Sequence, residues 1–346
     1  MAGEAGLAER RGPVEHPGLT AVGRRALGAA LAATTGLALA AQARVNGELG
    51  VRLQDGLAAA LLSFLIGLAL LVLVLVVTVP AAGRRGMRAT WAALRTGTLR
   101  WWHCVGGLSG GFVVASQGLT VAGLGVAVFT VALVAGQSIS SLLVDRTSLP
   151  PGGAQPVTPA RVTGALLCVI AVVVAVSDRL TTPRTLGLAV LPLLAGLCVA
   201  WQQAVNGRVR AAAGSTWPAT FVNFLAGTSG LLLGYGIAVA VRGWPTAALP
   251  AEPWLYLGGP LGILVIAVAA AVVRFTGVLL LALAVICGQV IGSLVLDLVA
   301  PAQTRPTLST YAGAGLALLA VAVASWRRRS DRGTRERSGR RRPRRC

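Results

Sequence analysis

Two stretches of this chain place paired amides one helical turn apart inside apolar surroundings: LAAQARVNGELG, residues 39–50, and VAWQQAVNGRVR, residues 199–210. Each carries the pattern Q-x-x-x-N-G, as Gln42, Asn46, Gly47 and as Gln202, Asn206, Gly207. Side chains four apart share one face of a helix, so each pair forms a hydrogen-bonding stripe. Two more stripes run through Gln137, Ser141 and Asp145 and through Gln289, Ser293 and Asp297. Amides and hydroxyls can hold a polar solute, and the carboxylates can take a proton or a cation. All 31 basic residues are Arg. A phosphate-binding P-loop needs a Lys, so the chain carries no ATPase of its own, and a Schiff-base lysine is excluded too. His is limited to His16 and His103, and none of the five Cys forms a C-x-x-C pair. No metal and no cofactor is expected. With no close Asp pair, no Ser–Lys dyad and no His set in the apolar segments, the chain does not read as an enzyme.

The elements that must position these residues follow from composition. Hydrophobic residues make up 55% of the chain and charged residues 12%, against about 25% charged in soluble domains. Mean hydropathy is +0.74. A bilayer core about 30 Å thick is crossed by roughly 20 apolar residues in a helix. Residues 57–79 and 211–241 are free of charge, and residues 101–144 hold no Asp, Glu or Arg. The last stretch is too long for one crossing, so a tight turn is expected near Gly118–Gly125. The runs are continuously apolar rather than alternating, which excludes a β-barrel. The expectation is an all-α integral membrane protein with ten spans, near 24–45, 57–79, 101–118, 122–144, 160–177, 185–207, 215–241, 254–273, 275–296 and 307–326.

Arginine assigned to alternate sides of these spans divides 25 to 6. The side with more Arg faces the cytoplasm, which puts both termini of this multi-pass protein there. Arg24–Arg25, an apolar run and AAQA imitate a signal peptide, but a similar pattern recurs in mid-chain at 196–207. The net charge of +20 is concentrated in the tail, residues 327–346, with 11 Arg. Directly after an apolar segment, such a tail meets anionic headgroups; nucleic acid is not an expected partner.

The amide pattern belongs to a longer repeat. At an offset of 160, seven of the twelve residues 36–47 match, and Phe64, Leu65 and Gly67 fall on Phe224, Leu225 and Gly227, with Ser63 on Asn223. At an offset of 152, Trp102, Gly106, Gly107 and Gly110 fall on Trp254, Gly258, Gly259 and Gly262, and the stripe 137–145 falls on 289–297. The shift of eight lies in the Arg-rich connection after the second span. The halves are 24–178 and 185–326, flanked by a cytoplasmic segment 1–23 and the basic tail. Five spans per half is odd, so the second half enters the membrane upside down, the architecture of many secondary transporters.

Ten spans, a five-plus-five repeat, Q-x-x-x-N-G in the first helix of each half and G-Q-x-x-x-S-x-x-x-D in the fourth resemble the YdcZ-like branch of the drug/metabolite transporter (EamA-like) superfamily, over about residues 25–326. The resemblance implies an inner-membrane carrier that moves a small molecule. Alternating access, driven by a proton or ion gradient or simply equilibrating, is the expected mechanism. A channel-like or non-transporting scaffold is the alternative. Gln42, Asn46, Gln202 and Asn206 either line the cavity or end their helices. Gln137 and Gln289 either line it or join helices, and Ser141 and Ser293 are expected to line it on the same stripes. Ser63 and Asn223, deep in charge-free spans, are expected at the site. Asp145 and Asp297, at opposite faces, either gate and couple or sit as solvated helix ends. Glu48 and Arg208, at equivalent positions with opposite charge, either gate or set topology. Expected partners are the small-molecule substrate, membrane lipids and, in an assembly, a second copy of the chain.

Overall fold

The computed structural model describes residues 21–324 apart from 152, 155–156, 180–182, 246 and 301–304, with side chains also left out at 21–25, 183–186, 269–271 and 273–280. The expectations for the N-terminal segment to residue 20 and for the basic tail lie outside the described residues. Those described contain helices and no strand. The α-helices are α1 (Ala21–Arg52), α2 (Gly56–Leu73), α3 (Pro80–Arg95), α4 (Gly107–Leu124), α5 (Val126–Val144), α6 (Pro159–Ala175), α7 (Pro183–Ala213), α8 (Thr216–Arg242), α9 (Gly258–Val299) and α10 (Leu308–Ala324).

Seven helical segments among the described residues are long and apolar enough to cross a bilayer: Ala26–Arg52, Gly56–Thr78, Trp101–Leu124, Val126–Val144, Gly187–Ala213, Thr216–Arg242 and Leu281–Val299. Three shorter apolar helices, Pro159–Ala175, Gly258–Val268 and Leu308–Ala324, stand where three of the expected spans were placed. Together the seven and the three stand at all ten expected positions, and among the described residues seven have the full length of a span.

Several boundaries differ from the expected ones. The helices carrying the amide pairs run on to Arg52 and Ala213. Gln42, Asn46, Gln202 and Asn206 therefore lie inside helices and do not end them, because flanking residues extend each helix past the apolar layer. The Arg-rich connection after the second span is not a loop but the amphipathic helix α3. It buries Gly83, Gly86 and Thr90 and exposes its arginines. The expected spans at 254–273 and 275–296 are one continuous helix, α9, of 42 residues. A straight helix of that length would measure about 63 Å. Yet Gly258 and Gly262 lie against Asn46 and Gln42, while Val285 and Gly288 lie against Gly36 and Ala33. Those partners span only about 20 Å of α1, so α9 bends back between its two ends.

The expected turn in residues 118–125 is a single residue, Gly125, at φ 81° and ψ 161°. Only glycine adopts this region at little cost, and it lets α4 and α5 abut without a loop.

The halves interlock by exchanged contacts. A side chain on Gly107 would meet Asn223 O at 1.8 Å, and one on Gly259 would meet Ser63 O at 2.3 Å. Gly196 lies 2.1 Å by the same measure from Leu133 O, and Gly36 lies 2.1 Å from Val285 O. Gly67 abuts Phe224 and Gly227 abuts Phe64. In each pair the partners are repeat equivalents with the halves swapped, the signature of an approximate two-fold relation. Small residues allow backbones this close, which is how helices gain contact in lipid. Between the halves, Phe64, Val114, Ala115, Phe224, Leu231 and Ile263 form one apolar cluster.

Candidate functional site

At the centre of that cluster, Phe64 of α2 and Phe224 of α8 place their ring centroids 5.0 Å apart with planes tilted by 34°. The polar side chains lie in two layers on either side of this pair.

The first layer is closed. Gln42 Nε2 donates to Gly258 O at 3.0 Å. Asn46 Nδ2 donates to Gln117 Oε1 at 2.7 Å, and Ser63 Oγ donates to Asn46 Oδ1. All four side chains are buried, Asn46 completely. Amides buried in an apolar medium are costly without partners, and here the chain supplies them.

The second layer is open. Gln202 and Asn206 are half-buried and hydrogen-bond to no other described residue. Asn223 is 7% exposed, and its Nδ2 has no partner. A side chain on Gly110 would stand 2.7 Å from Gln202 Nε2, 3.5 Å from Phe64 Cζ and 3.6 Å from Asn223 Oδ1. Gln202 and Asn223 therefore flank one point beside the rings. On the other side, Gly262 stands in the same way 2.9 Å from Gln42 Nε2 and 3.7 Å from Phe224 Cζ. Asn206 meets Gly106, just before α4, whereas Asn46 meets Gln117 on α4. Eleven residues of helix separate those contacts, about 16 Å. The equivalent amides do not converge on one point; they bracket the aromatic pair.

A family model described as "Putative inner membrane exporter, YdcZ", of the drug/metabolite transporter family, matches residues 27–174 and again residues 187–324. The chain belongs to this YdcZ family. The family is one of membrane exporters rather than enzymes, and with its apolar helices the chain is a multi-pass inner-membrane protein. No curated protein matches the sequence. Among similar solved structures is a crystal structure with a TM-score of 0.51 at 21% identity, over 86% of this chain and 95% of the other. At that identity the likeness is one of fold.

The remaining candidates in this YdcZ-family chain lie away from the aromatic pair. Ser141 Oγ donates to Ser138 O at 2.8 Å, and Ser293 Oγ donates to Val290 O at 2.8 Å, both within their own helices. Gln137 and Gln289 stand where Gly196 and Gly36 pack against their backbones, and neither joins the amide layers by a hydrogen bond. Asp297 is 2% exposed and accepts from Val126 N at 2.9 Å and Ala127 N at 2.8 Å. It caps the start of α5 from a distant part of the chain, where the helix dipole favours a negative charge. Asp145 ends α5 and pairs with Arg161, not with its neighbour Arg146. The two equivalent carboxylates stand a helix length apart, about 29 Å for 19 residues.

Glu48 pairs with Arg52 at 3.1 Å, and Arg52 reaches Glu252 at 3.1 Å. Arg208 instead donates from Nε to Leu149 O at 2.7 Å and from Nη2 to Ser148 O. Each is tied into its own surroundings, and the two do not form one gate pair. Sequence reasoning singled out neither Gln117 nor the Phe64–Phe224 pair as site residues. The phenylalanines are repeat equivalents, which was a usable signal. Gln117 falls on Ala269 at the offset of 152, so the repeat hides it.

Proposed function

We propose that this protein is a secondary exporter of a small uncharged solute, working by alternating access between two five-helix halves inserted in opposite senses, with both termini in the cytoplasm. The observation that carries this reading is the exchange of backbone contacts between the halves around the aromatic pair. An approximate two-fold arrangement of the halves supports two related states, each sealing the path on one side. The division of Arg between the two sides supports the orientation. The separation of Asp145 and Asp297 supports the inversion. The absence of Lys leaves a solute or ion gradient as the driving force.

In this reading the solute binds beside Phe64 and Phe224 and accepts a hydrogen bond from Asn223 Nδ2, with Gln202 and Asn206 beside it. An unpaired buried amide costs about 1–3 kcal/mol, and a solute carbonyl or hydroxyl removes that cost. The first-layer residues Gln42, Asn46 and Ser63 serve as the seal, because their hydrogen bonds are already filled.

A metabolite and toxin screen of cells with and without the protein identifies solutes for vesicle assays. The expected result is saturable uptake with counterflow, abolished by Asn223→Leu while the protein remains folded. Unsaturable leak without counterflow would replace the carrier with a channel. Cysteines at positions 150 and 245 are expected to label from opposite faces of the membrane; labelling from one face would remove the inversion.

A further inference from the structure

We infer that the groove between the end of the second span and α3 is a binding site for an anionic phospholipid of the leaflet in which α3 lies. A cavity of about 390 Å³ opens there, lined by Leu75, Val76, Gly83, Arg84, Met87 and Arg88. Local sequence builds it. After α2 the chain winds into a π-helical turn, Val74–Thr78, in which Val79 N bonds to Val74 O at 3.0 Å. Such turns inside helices often mark functional positions. Pro80 then starts α3, and Gly83 packs back on Leu75, where a side chain would meet Leu75 Cδ2 at 3.1 Å. Gly86 rests on Pro218 and Ala213 O, which fixes the other side of the helix.

The groove is chemically two-sided. Val76, which lines it beside Leu75 and Met87, is 66% exposed, so one wall is apolar surface turned outward. Arg84 and Arg88 are one helical turn apart on α3 and both are exposed. Neither guanidinium makes an ion pair or hydrogen bond with another described residue. No Asp or Glu occurs anywhere from Gly56 to Val144. The pair therefore lacks a nearby carboxylate from its own stretch of chain. Guanidinium groups hold phosphate oxygens by paired hydrogen bonds, and the apolar wall beneath takes an acyl chain. A phosphodiester with hydrocarbon attached satisfies both walls, whereas a free phosphate satisfies one. The inference is independent of the transported solute, since this groove lies on the outer surface of the bundle.

The test uses the full-length protein in detergent, with lipid adducts counted by native mass spectrometry. Phosphatidylglycerol and phosphatidylcholine of identical chains are titrated separately. Phosphatidylglycerol is expected to bind more tightly, and Arg84→Gln with Arg88→Gln is expected to weaken it roughly 30-fold, at about 1 kcal/mol for each basic residue. The basic tail is present in every sample and contributes equally. A second double variant, Arg85→Gln with Arg95→Gln, removes the same charge from α3 outside the groove and is expected to keep nearly all of the binding. Equal losses in the two variants, or equal binding of the two lipids by the unaltered protein, overturns the inference. Displacement of phosphatidylglycerol by millimolar inorganic phosphate also overturns it, by making the site one for free phosphate.

Discussion

The two amide layers have nearly the same sequence and opposite chemistry. In the first, Gln42, Asn46 and Ser63 are buried and find partners within the chain. In the second, Gln202 and Asn206 are half-buried without partners, and Asn223 holds out an unpaired amino group. Two substitutions between the halves account for much of this. The first half has Gln117, which accepts from Asn46, where the second half has Ala269. The second half has Asn223 where the first has Ser63, so it carries an amide with two N–H donors that need acceptors instead of one hydroxyl whose proton goes to Asn46 Oδ1. Repeats thus share a backbone and still differ in how fully their buried polar side chains are satisfied.

The largest expected effect tests the shared backbone. Gly107→Val drives a side chain into Asn223 O, and Gly259→Val does the same to Ser63 O. Both are expected to cost about 3 kcal/mol, the upper end for overpacking, and to appear as lost monodisperse protein in size-exclusion chromatography. Gly110→Ala meets the movable end of Gln202 instead and is expected to stay folded. A folded Gly107→Val protein would undo the interlocking described above.

Next in size is the comparison itself. Asn46→Ala leaves Ser63 and Gln117 without their partner and is expected to lower stability by about 2–3 kcal/mol, read as a drop in melting temperature. Asn206→Ala removes a side chain that bonds to nothing described, so a change within about 0.5 kcal/mol is expected, together with weakened solute binding. Equal melting shifts for the two would erase the distinction between the layers.

The two carboxylates sharpen the contrast at the helix ends. Asp297→Ala uncovers two backbone N–H groups at the start of α5 and is expected to cost about 2 kcal/mol. Asp145→Ala releases the half-buried Arg161, with an expected cost below about 1 kcal/mol. Chemical denaturation of the two variants in parallel would rank them, and a reversed order would contradict the capping role.

The smallest effect is expected where Arg52 and Glu252 join the halves at an exposed position. Glu252→Gln should lower the melting temperature only slightly at low ionic strength. The difference should vanish in 1 M salt, where the screening length falls to about 3 Å.

Much of this organisation was legible before the structure. Repeat matches at Gly106, Gly107, Gly110 and their equivalents marked where the helices come closest: Gly107 and Gly259 meet backbone, and the other four meet the site's amides and their neighbours. The amide pairs were legible from the repeat as well. The rest depended on distance in space. Asp297 reads as a helix-end acid, yet its partners are the backbone of residues 126 and 127, 170 or more positions earlier. Gln117 has no repeat equivalent to draw notice. The segment 80–95 reads as an arginine loop because the residues that dock it are two glycines and a threonine, which carry no hydrophobic period. The length of α1 escaped because a helix does not stop where the apolar layer stops.

The bond between α1 and α9 has a consequence for how the protein is made. Gly36 waits for Gln289, which is synthesised 253 residues later. At about 5–20 residues per second, that delay is roughly 13–50 s. Throughout it the Gly36 surface of the first helix lacks the backbone it packs on, and for most of it Gln42 lacks its acceptor, Gly258 O. A newly made chain therefore passes through a long orphan stage, and a quality-control protease or insertion chaperone would find its mark there rather than on the finished protein.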